Sequence, residues 1–80
     1  MESNAIYERL TGVLHDVLDD DTLVLTPDLT AAEVDGWDSL THIRLMLSVE
    51  KAFAIRFAAA EVGKLKNVGE LVSLIAAKCP

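Results

Sequence analysis

Aromatic and basic residues are scarce in this sequence. One Trp, one Tyr and two Phe are the only aromatic residues among 80, although 51% of the chain is hydrophobic. The core must therefore be built from Leu, Val, Ile and Ala, which favours helices packed through aliphatic side chains. Seven basic residues against 13 acidic ones leave a net charge of −6. Because nucleic-acid binding needs a basic surface, this balance argues against a nucleic-acid-binding protein.

Cysteine and long hydrophobic runs are almost absent as well. Cys79 is the only cysteine, so the chain cannot form an internal disulfide. The first four residues, Met1-Glu2-Ser3-Asn4, lack the positive charge of a secretory signal, and no apolar run approaches the roughly 18–20 residues of a membrane span. We therefore expect a cytoplasmic protein that does not enter a membrane. A chain of 80 residues has room for one core, so we expect a single domain over residues 1–80.

The charges are divided unevenly along the chain. Residues 1–40 hold ten acidic residues and one basic residue, a charge of −9, whereas residues 41–80 hold three acidic and six basic residues, a charge of +3. A small domain with this asymmetry can present surfaces of opposite sign to different partners.

Hydrophobic spacing predicts helices and no paired strands. Apolar residues at helical spacing predict a first helix that is capped by Ser3 or Asn4 and ends near residues 18–20, where Asp19 to Asp21 are unfavourable at a helix C-terminus. These apolar residues are Ile6, Leu10, Val13, Leu14, Val17 and Leu18. The stretch from Thr22 to Trp37 is predicted to be a long loop with apolar anchors, in which Thr30 and Glu33 form a capping box for one helical turn closed by Gly36.

The strongest predicted helix covers residues 39–54. Its apolar face is so broad that we expect packing on several sides. The apolar face consists of Leu40, Ile43, Met46, Leu47, Val49 and Phe53. A separate, narrow polar stripe consists of Thr41, Arg44, Ser48 and Lys51. A short helix within Ala58–Leu65 and a last helix capped by Asn67 complete an all-α four-helix bundle of three long helices and one short helix, with the long loop between the first two.

No catalytic or metal-binding arrangement is apparent. Asp38, Ser39 and His42 are close together in sequence, but near-consecutive residues on one helix rarely allow both contacts of a nucleophilic triad. His15, His42 and Cys79 do not have the spacing of metal ligands. We therefore expect no metal site and no enzyme active site.

The segment Gly36-Trp37-Asp38-Ser39-Leu40 is the most unusual part of the chain. Gly36 permits a tight turn, Asp38 is a good N-cap, and Ser39 falls in the first turn of the strongest helix. Unpaired backbone N–H groups and the helix dipole make this a favourable position for an attached phosphodiester. The alternative is that Asp38 and Ser39 merely compete to cap the helix.

Residues 36–57, with the sequence GWDSLTHIRLMLSVEKAFAIRF, resemble the acyl carrier protein family around its phosphopantetheine attachment site. The similar features are the Asp-Ser-Leu core, the apolar helix after it, Glu50, and the tail Phe53-x-Ile55-x-Phe57. The order of elements along the whole chain is also similar to that of the family.

The resemblance implies that Ser39 carries a 4′-phosphopantetheine arm, which a phosphopantetheinyl transferase attaches from coenzyme A. The arm's thiol would hold an acyl group as a thioester, so the protein would be a carrier and not an enzyme. Asp38 would hold the site and meet the transferase with its metal ion, and Leu40 would anchor the helix start beside the arm. Acyl-loading and acyl-using enzymes would be the other partners of a monomeric carrier. The acyl chain would shelter against Ile43, Met46, Leu47 and Leu71.

The chain also departs from the family's pattern. Housekeeping carriers have acidic residues along the second helix, and a proline stands where this chain has Ala58. The predicted partner-binding residues here are Trp37, Thr41, Arg44, Ser48 and Lys51. Because charge complementarity governs partner choice, we expect a specialised carrier of a lipid or secondary-metabolite pathway. Two alternatives stay open, an aminoacyl or peptidyl carrier and a helical adaptor that never receives the arm.

Overall fold

A computed structural model describes residues 2–79 as an all-helical bundle. The helices are α1 (Ser3–Leu18), α2 (Ser39–Phe53), α3 (Ala59–Gly63) and α4 (Val68–Lys78), and a 3₁₀ turn covers Ala31–Glu33. The predicted all-α fold is confirmed, with three long helices, one short helix and a long loop between α1 and α2. No strand is found within residues 2–79, and no helix there is long and apolar enough to cross a membrane.

The core lies between the three long helices. It consists almost entirely of aliphatic side chains, as the shortage of aromatic residues predicts, and α3 supplies none of its fully buried members within the described residues. The buried residues are Ile6, Leu10 and Leu14 of α1, Leu45, Met46, Val49 and Phe53 of α2, and Val68, Leu71, Val72 and Ile75 of α4.

The ends of the helices follow local capping chemistry. Helix α1 ends at Leu18, and Asp19 takes a left-handed conformation with φ of 53°. At its start, the prediction of Ser3 or Asn4 as the N-cap is wrong, because both residues lie inside the helix and Glu2 is the cap. The Asn67 cap of α4 is confirmed, since its side-chain oxygen accepts a hydrogen bond from the Glu70 N–H at 2.8 Å.

Helix α2 differs from its prediction in how it packs. It ends one residue earlier than predicted, at Phe53, and it is not covered on several sides. Leu40 is 69% exposed, and Ile43 and Leu47 are each 56% exposed. Helix α3 has only five residues, so it leaves Ile43 and Leu47 beside it partly uncovered.

The long loop is attached to the bundle by backbone hydrogen bonds. One half of the predicted Thr30–Glu33 capping box is present, since the Glu33 carboxylate accepts a hydrogen bond from the Thr30 N–H at 3.1 Å, and Gly36 adopts a φ of 84°, which closes the turn as predicted. The first N–H groups of α4 donate to the loop, from Val68 to Leu29 O at 2.9 Å and from Gly69 to Pro27 O at 3.0 Å. The loop therefore satisfies helix N–H groups that would otherwise have no protein partner.

Gly69 and Gly12 form a matched pair that tests this attachment. A Cβ on Gly69 would lie 3.0 Å from the Pro27 carbonyl oxygen, whereas a Cβ on Gly12 would meet nothing within 4 Å. We expect Gly69→Ala to lower the free energy of unfolding by about 1–3 kcal/mol through overpacking. Gly12→Ala should raise it by up to about 1 kcal/mol, because Ala is the better helix former. Urea unfolding measures both values, and equal effects of the two substitutions would contradict the close approach of loop and helix.

Candidate functional site

The start of α2 is fixed by Asp38. The Asp38 backbone is extended, and its carboxylate oxygen Oδ1 accepts a hydrogen bond from the Thr41 N–H at 2.8 Å. This bond from the Thr41 backbone lowers the pKa of Asp38 below its ordinary value of 3.8. The Asp38 side chain is therefore the cap, which resolves the competition between Asp38 and Ser39 that the sequence left open.

Ser39 is the first residue of α2 and is exposed. Because Asp38 provides the cap, the Ser39 hydroxyl is not needed for it, and the described part of the chain contains no hydrogen bond to that hydroxyl. An exposed hydroxyl at a helix start, without an internal partner, is suited to covalent attachment of a phosphodiester. The site thus fits the group that the sequence motif implies.

An open groove runs from Ser39 between α2 and α3, and we call it the α2–α3 groove. Its two halves share Ile43, Val62 and Gly63. The half beside Ser39 also contains Asp38, Trp37 and His42. The far half is lined mainly by apolar side chains, namely Ile43, Met46, Leu47, Phe57 and Val62. The structure therefore brings together three of the four residues predicted to contact an acyl chain.

The fourth residue, Leu71, lies elsewhere. It borders a separate interior cavity, together with Leu29, Leu65, Trp37 and His42. Trp37 and His42 border both spaces and are hydrogen-bonded, with the indole Nε1–H of Trp37 donating to His42 Nδ1 at 3.1 Å. From the sequence, His42 is considered only for a triad or a metal site, and this contact is not anticipated, since no residue pattern connects an indole to an imidazole five positions on.

The predicted partner-binding residues fall into two groups. Arg44 and Lys51 are exposed on the outer surface of α2, whereas Thr41 and Ser48 are half-buried beside them. Trp37 is half-buried and packs against the core, so it does not lie on the same surface. Leu40 lies on the outer surface, and it is not among the residues that line the α2–α3 groove.

Glu50 has a role that the sequence does not reveal. Its carboxylate Oε2 accepts a hydrogen bond from the backbone N–H of Phe57 at 2.7 Å, and the residue is half-buried. Glu50 therefore holds the segment after α2 against the helix. It is the only acidic residue within α2, so the exposed charged residues of this helix, Arg44 and Lys51, are both positive.

Comparison with known proteins agrees with this geometry. The family described as the phosphopantetheine attachment site matches residues 8–75. The acyl carrier protein of Akkermansia muciniphila is 31% identical over 75 residues, which cover 94% of each chain. That of Helicobacter pylori is 28% identical over 71 residues, which cover 89% of this chain and 91% of its own. The chain belongs to the acyl carrier protein family.

A solved structure extends the similarity to the fold. The holo acyl carrier protein of Geobacter metallireducens is 44% identical and superposes with a TM-score of 0.85, covering 90% of this chain and 83% of its own. As a member of the family, the protein is a non-catalytic carrier of a covalently attached 4′-phosphopantetheine. Members of the family are modified by a phosphopantetheinyl transferase and interact with acyl-handling enzymes. Within residues 2–79, no three His, Cys, Asp or Glu residues cluster as metal ligands.

Proposed function

We propose that Ser39 is the residue that carries the 4′-phosphopantetheine arm. The observation that supports this proposal is at the start of α2, where Asp38 caps the helix and the exposed Ser39 hydroxyl has no hydrogen-bond partner among residues 2–79. In the attachment reaction, a bond forms between Ser39 Oγ and phosphorus, and the pyrophosphate P–O bond of coenzyme A breaks. The adenosine bisphosphate half leaves, and the hydroxyl proton is released.

Asp38 and Leu40 support this reaction from either side of Ser39. Asp38 holds the helix start through its bond to the Thr41 N–H, and its carboxylate is exposed, so it can also meet the transferase and its metal ion. Leu40 is 69% exposed. An apolar side chain in that position offers the transferase a contact next to the modified serine.

The α2–α3 groove is the proposed resting place of the acyl group. It begins beside Ser39, and its far half is lined by apolar side chains that include Ile43, Met46 and Leu47. Burial of alkyl carbons against such side chains is favourable by about 0.8 kcal/mol per CH₂ group. An open groove also lets the chain swing out to a partner enzyme.

Intact mass spectrometry tests the attachment site. After incubation with coenzyme A and a broad-specificity transferase, the wild type should gain the mass of one phosphopantetheine group, and Ser39→Ala should gain none. Ser73→Ala, which alters an exposed serine on α4, is the matched control and should be modified like the wild type. Modification that survives Ser39→Ala, or a wild type of unchanged mass, would refute the proposal.

We further propose that the carrier serves a specialised lipid or secondary-metabolite pathway whose enzymes present an apolar and acidic docking surface. Leu40, Ile43 and Leu47 lie three and four positions apart and form an exposed apolar stripe. Arg44 and Lys51 supply positive charge on the same helix. The Glu50 carboxylate is already hydrogen-bonded to the Phe57 N–H. Charge complementarity favours partners of the opposite sign and disfavours the basic partners of housekeeping carriers.

Reversal of the α2 charges tests this partner preference. The double variant Arg44→Glu/Lys51→Glu should be used by generic fatty-acid ketosynthases and malonyl transferases about tenfold faster at low salt than the wild type, because steering by charge changes encounter rates on this scale. The control, Lys64→Glu/Lys66→Glu, changes the net charge equally outside α2 and should give no such gain. Equal gains for both variants, or a wild type that generic enzymes already use as well as a standard carrier, would contradict the specialisation.

A further inference from the structure

The side chains of Trp37 and His42 border two separate spaces near the start of α2. On one side is the half of the α2–α3 groove that contains Ser39, and on the other is the interior cavity at Leu71. Ala31 and Leu65 also border both spaces, but they carry no polar group in their side chains. The two rings are therefore the only side chains of this wall that are joined by a hydrogen bond in the described part of the chain.

The imidazole of His42 is held from two directions. Its Nδ1 accepts from the Trp37 Nε1–H at 3.1 Å, and its Nε2 lies 3.4 Å from the backbone carbonyl oxygen of Val62. Because a carbonyl oxygen only accepts and an indole N–H only donates, the neutral ring with its proton on Nε2 satisfies both contacts. The pair thus links the end of the long loop, the first turns of α2 and the end of α3.

The interior cavity behind this pair is small. Its volume is about 30 Å³, which leaves too little space for an acyl chain unless the wall moves. An acyl chain that entered this cavity from the Ser39 side between the rings would separate them and leave the indole N–H and the imidazole Nδ1 without partners, which is unfavourable in a half-buried position. The α2–α3 groove is already open and needs no hydrogen bond to break.

We infer that the Trp37–His42 pair is a partition that excludes the tethered acyl chain from the interior cavity at Leu71 and directs it along the α2–α3 groove. The inference rests on the proposed function, because it takes the arm to start at Ser39. Trp37 and His42 are then positioning residues that determine where the cargo lies.

The position of a loaded chain tests the inference. The protein is converted to its holo form, an octanoyl group labelled with ¹³C is attached as the thioester, and contacts to leucine and isoleucine methyl groups are measured by NMR. In the wild type, we expect nuclear Overhauser effects to Ile43 and Leu47 and none to Leu71. In His42→Ala and in Trp37→Ala, effects to Leu71 should appear, since the partition is open.

His15→Ala is the matched control. His15 borders neither of the two spaces. Its Nε2 lies 2.8 Å from the carbonyl oxygen of Leu23. This variant should show the wild-type pattern, without effects to Leu71. Trp37→Phe, which keeps an aromatic ring but lacks the donor, provides a second variant if Trp37→Ala does not fold, and effects to Leu71 are expected there too.

The outcomes separate the two proposals. A wild type that accepts no arm at Ser39 contradicts the proposed function, and the inference falls with it. A loaded wild type whose octanoyl group contacts Leu71 contradicts the inference alone. Exclusion from Leu71 that persists in every folded variant of Trp37 and His42 would also overturn the role of the pair.

Discussion

The hydrogen bond from the Thr41 N–H to the Asp38 carboxylate is the interaction on which the site depends. At 2.8 Å it starts α2 at Ser39, and it gives the capping role to the neighbour of the serine. Two polar side chains could have filled that role, and the choice of Asp38 leaves a free hydroxyl at the first position of the helix. The same helix start sets where Trp37 meets His42 and where the α2–α3 groove begins.

The shortness of α3 has the second large effect. With five residues, this helix covers part of α2 and leaves Ile43 and Leu47 beside it exposed. Together with Leu40 on the outer surface, these apolar side chains are available to other proteins. The excess of basic residues after residue 40 also contributes to this surface, because Arg44 and Lys51 are exposed on the same helix. A carrier without catalytic residues works through such a surface, since its partners supply the chemistry.

Local chemistry was well predicted from the sequence, whereas contacts between elements were not. The Asn67 cap involves residues three positions apart, so residue type and spacing suffice there, whereas the α2 cap stayed open between Asp38 and Ser39 and the α1 cap was misplaced. The exposure of Ile43 and Leu47 depends on how far α3 extends, and hydrophobic periodicity carries no such information. The bond between Glu50 and the Phe57 N–H and the bond between Trp37 and His42 depend on the path of the chain after α2 and before it, which only the folded structure defines.

The most direct test of the account is a pH titration of the start of α2 by NMR, with the Asp38 carboxyl carbon and the Thr41 amide observed together. Because the hydrogen bond lowers the pKa of Asp38 below 3.8, its stabilisation is present above the pKa of the unfolded chain and is lost as the pH falls through the lower pKa of the folded chain. The account predicts that both signals change with one midpoint below pH 3.8. An Asp38 midpoint at or above that value, with a Thr41 amide that does not respond, would contradict it.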